Sequence, residues 1–587
     1  MSMKWMTALC LLTGCSAEIA VKDSAELINA IEAGNRRIVL KAGTYELSQP
    51  LRLGAENSNL ELIGCVGARL TRAVTIKNGD TVACLAEDEE PSPNSFNTMR
   101  SYAPMCFYDH QWATPARWPN GDWAFVEKKV EVGRILRYPD TNTLNGSFTV
   151  DPETAKRMAK WDFASGDIRL AGYWTHDWAF ERVKAASFDP AKRLVTLASP
   201  TVYGIESVAS WSVLGKHRFY AYNVRAEMDE PGEWFYDRKT GKVELLEPEG
   251  GVSELRVVTD MKPIVSIVGA TNVTIRGIDF EYAAGDALEI SDSQNVLISN
   301  CLIHNIGGCA VKITGGFRCA VEACEVRGIG ITAFEVTGGD RKQLIAANHA
   351  IRNNEVHDFG RIRRTYAAAA NINGCGNSIT GNRIYDAPHT AIFYGGNEML
   401  IEANEIFDVL KETGDAGAVY SGRDPTSRGN VLRFNYIHDC GVQNETAVTM
   451  AFYLDDCDCG DSYISNRVVN VPRGLLIGGG QDIRAIGNSF SNCTIGISID
   501  ARALNWAGAH WDSPKDPSWQ MTRKVKEMEV DKEPWRSRYP DLVDYLKNDP
   551  RTPKNISVHG NMFSDCKRNI IFENMPKGLD RTLDIQR

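Results

Sequence analysis

Short strand-like segments that repeat along the second half of the chain constrain its fold more than any other sequence feature. Each segment alternates apolar residues, reaches an Asn or a substitute for it, and continues with two or three more apolar positions. The anchor positions are 277, 300, 323, about 348–354, 382, 404, 435, 466, 488 and 561. Steps of 23 residues, as from 277 to 300, and of 31 residues, as from 404 to 435, recur. A period in this range with strand chemistry and no helix predicts an all-β solenoid of stacked coils.

The chain after its N-terminal segment divides into three regions, the last of which carries the main coils. Residues 15–90 begin with an amphipathic helix and two strand-like segments, which resemble the cap and first coils of a right-handed parallel β-helix. Residues 91–255 lose the repeat but keep strand-like pieces, which predicts an inserted all-β domain of sandwich or barrel type. Residues 256–587 carry the main coils, interrupted at about 502–555 by a partly helical loop insertion. An insertion of that length in a solenoid generally lies on the functional face.

The N-terminus predicts export. Lys4 precedes a short apolar stretch, and Leu12-Thr13-Gly14-Cys15 follows, which resembles a bacterial lipobox. On this interpretation residues 1–14 are a signal peptide and Cys15 carries the lipid, so the chain is anchored in the bacterial envelope or periplasm. Secretion after cleavage at Ala17 is the alternative, and a chance match is the third. The net charge of −10 argues against nucleic-acid binding, and no apolar run is long enough to span a bilayer.

The 15 cysteines do not follow a disulfide pattern. Cys440, Cys493 and Cys566 each lie five residues after an anchor, and Cys301 and Cys324 each lie one residue after theirs. Equivalent slots in separate coils indicate stacked small apolar side chains, so reduced core thiols are predicted. Two further thiols, in the motif DDCDCGD, offer too few ligands at too tight a spacing for structural zinc. The sequence therefore predicts no metal site and no cofactor.

A second strand in each coil allows the outward-facing side chains to be aligned. Because side chains alternate along a strand, the third and fifth positions of each segment point away from the coil interior. The first outward column is Glu289, Lys312, Glu335, Asn371, Phe393, Tyr420, Tyr453, Leu476 and Ser498. The second is Ser291, Thr314, Thr337, Asn373, Gly395, Gly422, Asp455, Gly478 and Asp500. The columns are polar early and aromatic beside glycine in the middle, which predicts a flat, open surface for sugar stacking.

The same middle coils concentrate carboxylates. Asp415 precedes one of these strands, Asp424 follows it, Asp455 and Asp456 end the next, and Asp500 ends a later one. Glycoside hydrolysis needs two carboxyl groups about 5 to 9.5 Å apart, and neighbouring coils are about 4.8 Å apart. Asp415 and Asp456 lie at the rims of consecutive coils, so either the retaining or the inverting separation is feasible. Any single Asp here would serve equally well as a solvated turn cap.

Several longer strings resemble bacterial β-helix glycoside hydrolases of glycoside hydrolase family 141. They are P388-HTAIFYGG, I401-EANEIFDV, T413-GDAGAVYSGRD, F434-NYIHD, Y453-LDD, T114-PARWPN, F219-YAYNVRAEMDEPGEWFYDRKTG and W535-RSRYPDL, which together cover roughly residues 100 to 570. The resemblance implies an activity of the α-L-fucosidase or xylanase type. The two catalytic Asp residues of the family match Asp415 and Asp456, and the adjacent, outward-facing Asp455 is an alternative to Asp456.

A hydrolase of this kind would divide its work among the remaining polar residues of the middle coils. Tyr420 and Tyr453 would stack on the sugar, and Arg423 and Arg502 would orient it. Asp424, Asp455 and Asp500 would tune the catalytic pair or bind hydroxyl groups, and crowding of like charges would raise the pKa of at least one carboxyl. His389 would hydrogen-bond a sugar hydroxyl, although a structural turn histidine is equally consistent with its position.

Two other function classes compete with a hydrolase. A polysaccharide lyase acting on a uronic-acid polymer needs a base and a cation, and Arg423, Arg502 and His389 are candidates. A polygalacturonase-type hydrolase is disfavoured because its Gly-His-Gly and Arg-Ile-Lys strings are absent. The third class is a non-catalytic surface lipoprotein that binds glycans through the aromatic platform alone. In every case the predicted partner is a carbohydrate.

Overall fold

The chain forms a right-handed parallel β-helix from which smaller, mostly antiparallel sheets project. The computed structural model describes residues 18–84, 103–138, 140–206, 212–442 and 448–586. The predicted signal peptide 1–14 and the lipidation site Cys15 lie outside these ranges. Three long parallel sheets of 14, 12 and 12 strands form the walls of the helix. The predicted all-β solenoid is therefore confirmed.

Each coil contributes one strand to each of the three sheets. The first sheet consists, in order, of Glu18–Val21, Arg37–Leu40, Glu61–Gly64, Thr274–Arg276, Leu297–Ser299, Ala320–Glu322, Ala350–Arg352, Ser378–Thr380, Leu400–Glu402, Val431–Arg433, Ser462–Ile464, Arg484–Ile486, Ser557–His559 and Asp584–Ile585. The second sheet consists of Leu51–Leu53, Val265–Val268, Leu288–Ser291, Val311–Thr314, Phe334–Gly338, Ala370–Cys375, Ile392–Asn397, Ala416–Gly422, Thr449–Asp455, Arg473–Ile477, Ile495–Asp500 and Arg568–Glu573. The third sheet consists of Gly43–Glu46, Ala68–Thr71, Asp279–Ala283, Leu302–Ile306, Glu325–Ile329, Glu355–Phe359, Arg383–Tyr385, Glu405–Phe407, Tyr436–His438, Arg467–Val469, Ser489–Ser491 and Met562–Ser564.

A ladder of buried asparagines runs through the later coils. Its members are Asn354, Asn382, Asn404, Asn435, Asn466, Asn488 and Asn561. The side-chain oxygen of each accepts a hydrogen bond from the main-chain N–H of the one before it, at 2.9 to 3.1 Å. Each amide thereby satisfies main-chain groups at a sharp turn, where an unpaired buried group would be costly. The repeated Asn is thus a structural element of the coil interior.

The early anchors 277, 300 and 323 are displaced by one residue from this ladder. Strand register places Cys301 and Cys324 at the level of Asn354, and the N–H of Cys324 donates to the Asn354 side chain at 2.9 Å. The residues at the three predicted anchors have left-handed backbone conformations and precede the ladder position. Cysteine therefore occupies the Asn slot in the second and third of these coils, and Ile278 occupies it in the first. The cysteines of the described residues are free thiols and most are buried, as predicted.

The strands of the smaller sheets come between the early and the later coils in sequence, whereas the coils themselves stack directly on each other. One contains Arg117–Trp118, Arg218–Tyr222, Arg169–Tyr173, Phe180–Asp189, Leu194–Leu197, Ser147–Thr149 and Lys128–Glu131, with Ala124–Phe125 paired to its second strand. A second contains Val74–Ile76, Leu255–Val258, Met105–Tyr108 and Gln111–Trp112, and a third contains Thr114–Pro115, Glu233–Asp237 and Lys242–Leu245. These strands begin at Val74, before residue 91, because Val74–Ile76 pairs antiparallel with Leu255–Val258.

Helices are few and short. The α-helices are Ser24–Glu32, which packs at the N-terminal end of the coils, Pro152–Met158, Met521–Glu527 and Trp535–Arg538. The 3₁₀ turns are Ala55–Asn57, Phe163–Ser165, Arg225–Glu227, Arg502–Leu504, Trp506–Ala509, Pro540–Leu542, Tyr545–Lys547 and Leu579–Thr582. The C-terminal insertion is thus partly helical, as predicted, and it has its own apolar core around Trp511, Trp519 and Trp535. No helix among the described ranges is both long enough and apolar enough to cross a membrane.

Candidate active site

The outward columns of the second sheet lie in the register that the sequence predicts. Pairing runs without a shift through the whole first column, from Glu289 to Ser498. In the second column, Gly422 pairs with Asp455. The change from charged to aromatic residues along one column is therefore a real feature of a continuous surface.

The middle of this surface is covered, which differs from the predicted open face. Tyr453 is 4% exposed and Leu476 2% exposed, although both side chains point away from the coil interior. On one side, Tyr173 and Arg218 of the inserted β-strands hydrogen-bond to Glu412 at 3.3 and 2.7 Å. The periodicity of the coils carries no information about which face a distant insertion will cover.

Two adjacent carboxylates and two arginines form the centre of the site. Asp455 and Asp456 both bind Nη1 of Arg502, at 2.5 and 3.0 Å. The other oxygen of Asp456 accepts a hydrogen bond of 2.7 Å from Nε of Arg423. The other oxygen of Asp455 accepts one of 2.8 Å from the Tyr420 hydroxyl. Gly422 leaves room for this arrangement, because a Cβ there would lie 3.0 Å from the Cβ of Asp455.

Asp415 and Asp500 complete the cluster from neighbouring coils. The Tyr453 hydroxyl donates to Oδ1 of Asp415 at 3.0 Å, and no hydrogen bond from the described residues reaches its Oδ2. Asp415 is half-buried, whereas Asp456 is 2% exposed. Asp500 is held by Nε of Arg502 at 2.9 Å and by the Asn574 amide at 2.8 Å. Asp415 is therefore the more accessible member of the predicted catalytic pair.

The environment separates the pKa values of the three central carboxyls. Burial, reinforced by the charge of Asp456, raises the pKa of Asp455 to about 7. Burial also raises the pKa of Asp415, and the nearby Arg502 offsets only part of this effect. Burial acts on Asp456 in the same direction, but Arg423 and Arg502 outweigh it and hold the pKa of Asp456 below its usual range. A carboxyl with a lowered pKa beside carboxyls with raised pKa values is the arrangement that acid–base chemistry needs.

A cavity of about 880 Å³ lies beside the cluster, over the second sheet. Its floor contains outward-column residues, among them Asn371, Asn373, Phe393 and Tyr420, with several glycines. Asp415, Asp455 and Asp456 are not part of its lining. Asp455 lies one hydrogen bond behind Tyr420, and Asp456 lies one hydrogen bond behind Arg423.

A second, aromatic cavity of about 360 Å³ shares Arg423 with the first. It is lined by the inserted β-strand region on one side and by the C-terminal insertion on the other, and its aromatic residues are Tyr138, His176, Trp178, Tyr203, Trp506, His510 and Trp519. The two regions are joined directly, because Nη2 of Arg137 binds Asp516 at 2.8 Å. The two cavities therefore lie on either side of Arg423, beside the carboxylate cluster.

Two predicted substrate-binding residues have other surroundings. Asp424 binds Arg341 at 2.9 Å and Thr426 at 2.6 Å, so it lines the larger cavity but lies outside the carboxylate cluster. His389 is 3% exposed and stacks against Phe393, and neither of its ring nitrogens has a hydrogen-bond partner in the described structure. Burial lowers the pKa of His389 to about 3, which keeps the ring neutral. His389 thus lies behind the floor, where it supports Phe393.

Several residues of the site were missed from the sequence. Tyr366 and Arg363 belong to a loop between coils. Arg341 belongs to another such loop, and Lys524 belongs to the C-terminal insertion. The aromatic residues at 138, 176, 178 and 203 come from the inserted strands. Their only signal was the density of Trp and Tyr in segments outside the repeat, which did not show that those segments fold over the middle coils.

One cluster elsewhere has the composition of a metal site. Ligand atoms of Asp279, Glu281 and His304, on the third sheet, lie within 4.8 Å of one another. Nε of Arg69 is 3.0 Å from Glu281 and Nε2 of His304 is 2.9 Å from Asp279. Arg69 already supplies the countercharge, so these contacts account for the cluster as an ion-pair network.

Comparison with known proteins supports the fold. A family described as right handed beta helix region matches residues 259–355. A solved glycoside hydrolase structure is 15% identical with a TM-score of 0.59, covering 81% of this chain and 96% of its own. The complex of XylC with xylose is 11% identical with a TM-score of 0.37, covering 92% and 81%. PfbA, a surface adhesin of Streptococcus pneumoniae, is 10% identical with a TM-score of 0.36, covering 93% and 89%. No curated protein sequence matches the chain.

Proposed function

We propose that the protein is a glycoside hydrolase that cleaves a complex plant or host glycan with a pair of aspartates. The observation that carries this proposal is the buried cluster in which Asp455 and Asp456 bind one guanidinium, that of Arg502. Burial raises the pKa of Asp415 and Asp455, whereas Arg423 and Arg502 lower the pKa of Asp456. Hydrolysis of a glycosidic bond needs a carboxylic acid and a carboxylate together. The likeness to family 141 supports an activity of the α-L-fucosidase or xylanase type.

The geometry supports a specific division of roles. Asp415 is the general acid, because it is the most accessible of the three central carboxyls and has an oxygen free to approach the leaving group. Asp456 is the ionised partner, held by Arg423 and Arg502. Asp455 shares a proton with the pair and maintains its pKa separation. Tyr420 lines the cavity and is positioned to contact the sugar directly.

Mass analysis of products from a panel of glycans tests the activity. A hydrolase adds one water per cleavage, and reaction in ¹⁸O-labelled water places the label in the new reducing end. Asp415→Asn and Asp456→Asn should each reduce turnover per folded molecule by about 10²-fold or more, and thermal unfolding measures the folded fraction of each variant. Products without added water would refute hydrolysis, and normal rates in either variant would remove that residue from the pair.

A polysaccharide lyase is the second candidate, and one observation favours it. Arg363 and Lys524, in the wall of the larger cavity, make no ion pair within the described residues. A lyase requires cationic groups that neutralise a uronate during proton abstraction. The same mass analysis separates the two classes, because a lyase leaves an unsaturated end and consumes no water.

We also propose that Cys15 is lipidated and anchors the protein in the bacterial envelope, on the basis of the lipobox-like string that ends at this residue. Metabolic labelling with a fatty-acid analogue tests this directly. Label in the wild type that disappears in Cys15→Ser supports the anchor, and an unlabelled, secreted wild type refutes it.

A further inference from the structure

The lining of the larger cavity is dominated by positive charge. Arg341, Arg363, Arg423 and Lys524 contribute four cationic groups, and Asp424 contributes one carboxylate. This balance is opposite in sign to the net charge of the whole chain, which is −10. Local cations in a concave, partly buried site attract anions even on an acidic protein. The cavity therefore differs electrostatically from its surroundings.

Two of these cations already have partners. Nη1 of Arg341 binds Asp424 at 2.9 Å, and Nε of Arg423 binds Asp456 at 2.7 Å. Asp424 lies in the cavity lining and Asp456 lies behind it, and each neutralises the guanidinium that it binds. The excess positive charge of the cavity consequently lies on the remaining two side chains.

Arg363 and Lys524 have no carboxylate partner within the described residues. Nε of Arg363 is buried and has no hydrogen-bond partner there, and Nζ of Lys524 donates only to main-chain carbonyls, at Arg423 and, at 2.6 Å, Ser518. Glu335, on a neighbouring coil, attracts Arg363 without pairing with it, and burial raises the pKa of that carboxyl. A partly buried cation without a counter-ion is unfavourable, and a ligand anion would relieve that cost.

We propose that this cavity binds a glycan bearing a carboxylate or sulfate, whose anionic group is held by Arg363 and Lys524 while its ring lies against Phe393 and Tyr420. This assignment of substrate class rests on the proposed function, since the acidic sugar would sit beside the bond that Asp415 and Asp456 cleave. Arg363 belongs to the loop that follows the third-sheet strand Glu355–Phe359, and Lys524 belongs to the helix Met521–Glu527. Two separate segments outside the coils would therefore bind the anion. The cations would also screen an acidic substrate from the carboxylate cluster.

Calorimetric titration of the full-length Asp415→Asn protein measures binding without turnover. The probes are a galacturonate tetrasaccharide, its carboxyl-reduced counterpart, a chondroitin sulfate tetrasaccharide and neutral xylotetraose. We expect one acidic probe to bind at least about tenfold more tightly than the uncharged probes, because hydrogen bonds to charged groups contribute about 1.5–3 kcal/mol. The uronate and the sulfate separate the two possible sources of the anion. Equal affinity for charged and uncharged probes, or no binding of either acidic probe, would overturn the proposal.

Matched variants locate the anion. Arg363→Gln and Lys524→Gln should each weaken binding of the acidic probe about tenfold or more, and Arg363→Lys should restore much of the loss. Lys526→Gln, on the same helix as Lys524, and Arg467→Gln, on the third sheet, should leave affinity unchanged. If the cleft variants bind like these controls, the site is not the cation pair. A folding defect in Lys524→Gln would leave the Arg363 series as the deciding measurement.

Product analysis of the wild type separates this inference from the proposed function. Hydrolysis of neutral glycans at rates that Arg363→Gln does not change would keep the hydrolase and reject the acidic substrate. Binding of an acidic glycan that depends on Arg363, with cleavage to an unsaturated end, would keep the acidic substrate and reject hydrolysis.

Discussion

The asparagine ladder inside the coils and the outward column of the second sheet are both continuous stacks, yet they differ in what they repeat. From Asn354 to Asn561 the ladder keeps one residue and one hydrogen bond in every coil. The outward column keeps its register but changes its chemistry, from Glu289 and Lys312 to Phe393 and Tyr420. A side chain that is the same in every coil therefore marks a position that stabilises the turns. Side chains that differ at one register position mark the surface that we propose binds a ligand.

The largest expected effect is the loss of activity on neutralising the carboxylate cluster. Asp456→Asn removes the only central carboxyl that is held ionised, and we expect kcat to fall by about 10²- to 10⁴-fold. Stability should also fall, by about 3 kcal/mol or more, because the substitution removes a buried charge that pairs with both Arg423 and Arg502, so kcat is measured per folded molecule. Asp424→Asn, which removes a carboxyl from the lining of the larger cavity and not from the cluster, is the control. A loss of similar size in the control would mean that charge near the cavity matters more than the central cluster.

Inside the coils we expect a loss of stability without a loss of activity. Asn435→Ala leaves buried main-chain groups of two adjacent coils unpaired, so we expect the free energy of unfolding to fall by about 3 kcal/mol or more. Denaturant unfolding measures the change, and kcat per folded molecule should remain within about twofold of the wild type. Asn492→Ala, whose side chain bonds the exposed Asn470 on the outside, serves as its control. Similar stability of the two variants would contradict a structural role for the ladder.

The pH dependence of kcat/KM tests which carboxyl of the cluster is the acid. If Asp456 must be ionised and its acid partner protonated, kcat/KM falls as pH drops through the lowered pKa of Asp456. It falls again as pH rises through the raised pKa of Asp415. Tyr453→Phe removes a hydrogen bond that stabilises ionised Asp415, so the pKa of Asp415 rises and the alkaline limb moves to higher pH. The acidic limb is the internal control. An alkaline limb that stays in place would remove Asp415 from the acid role.

The smallest effect is expected at the far end of the outward column. The Ser498 hydroxyl is buried and has no partner in the described structure, so Ser498→Ala should leave activity unchanged. The melting temperature should stay the same or rise slightly, because the substitution removes an unsatisfied buried group. A clear loss of activity would show that the functional surface extends beyond the coils that carry Tyr420 and Tyr453.

The strand period of two was enough to predict which second-sheet residues share a column. It also placed Asp415, Asp455 and Asp456 near Tyr420 and Tyr453, because stacking in register converts a spacing in sequence into a position in space. The same reasoning misplaced the early anchors by one residue. The residue before the ladder position has a left-handed backbone conformation, and in the early coils this residue was taken for the Asn position.

The inserted segments that cover the site could not be placed from the strand period. Contacts such as Arg137 with Asp516 and Tyr173 with Glu412 join segments separated by hundreds of residues. They depend on the shapes of the inserted segments, which have no repeat from which a register can be read. For this reason Arg363, Lys524 and the aromatic cavity were not predicted. The sequence also left open whether His389 binds sugar or is structural, and in the structure it is buried beneath Phe393.

The position of Arg502 along the chain determines when, during synthesis, the carboxylate cluster receives its second cation. During synthesis Asp415, Asp455 and Asp456 are all complete before Arg502 is added, and until then Arg423 is their only cation within the cluster. Burying three crowded acids without sufficient countercharge is strongly unfavourable. Stacking of the middle coils can thus precede assembly of the carboxylate cluster. A chain truncated before residue 502 would keep Tyr420 and Tyr453 but lack the guanidinium that binds both Asp455 and Asp456.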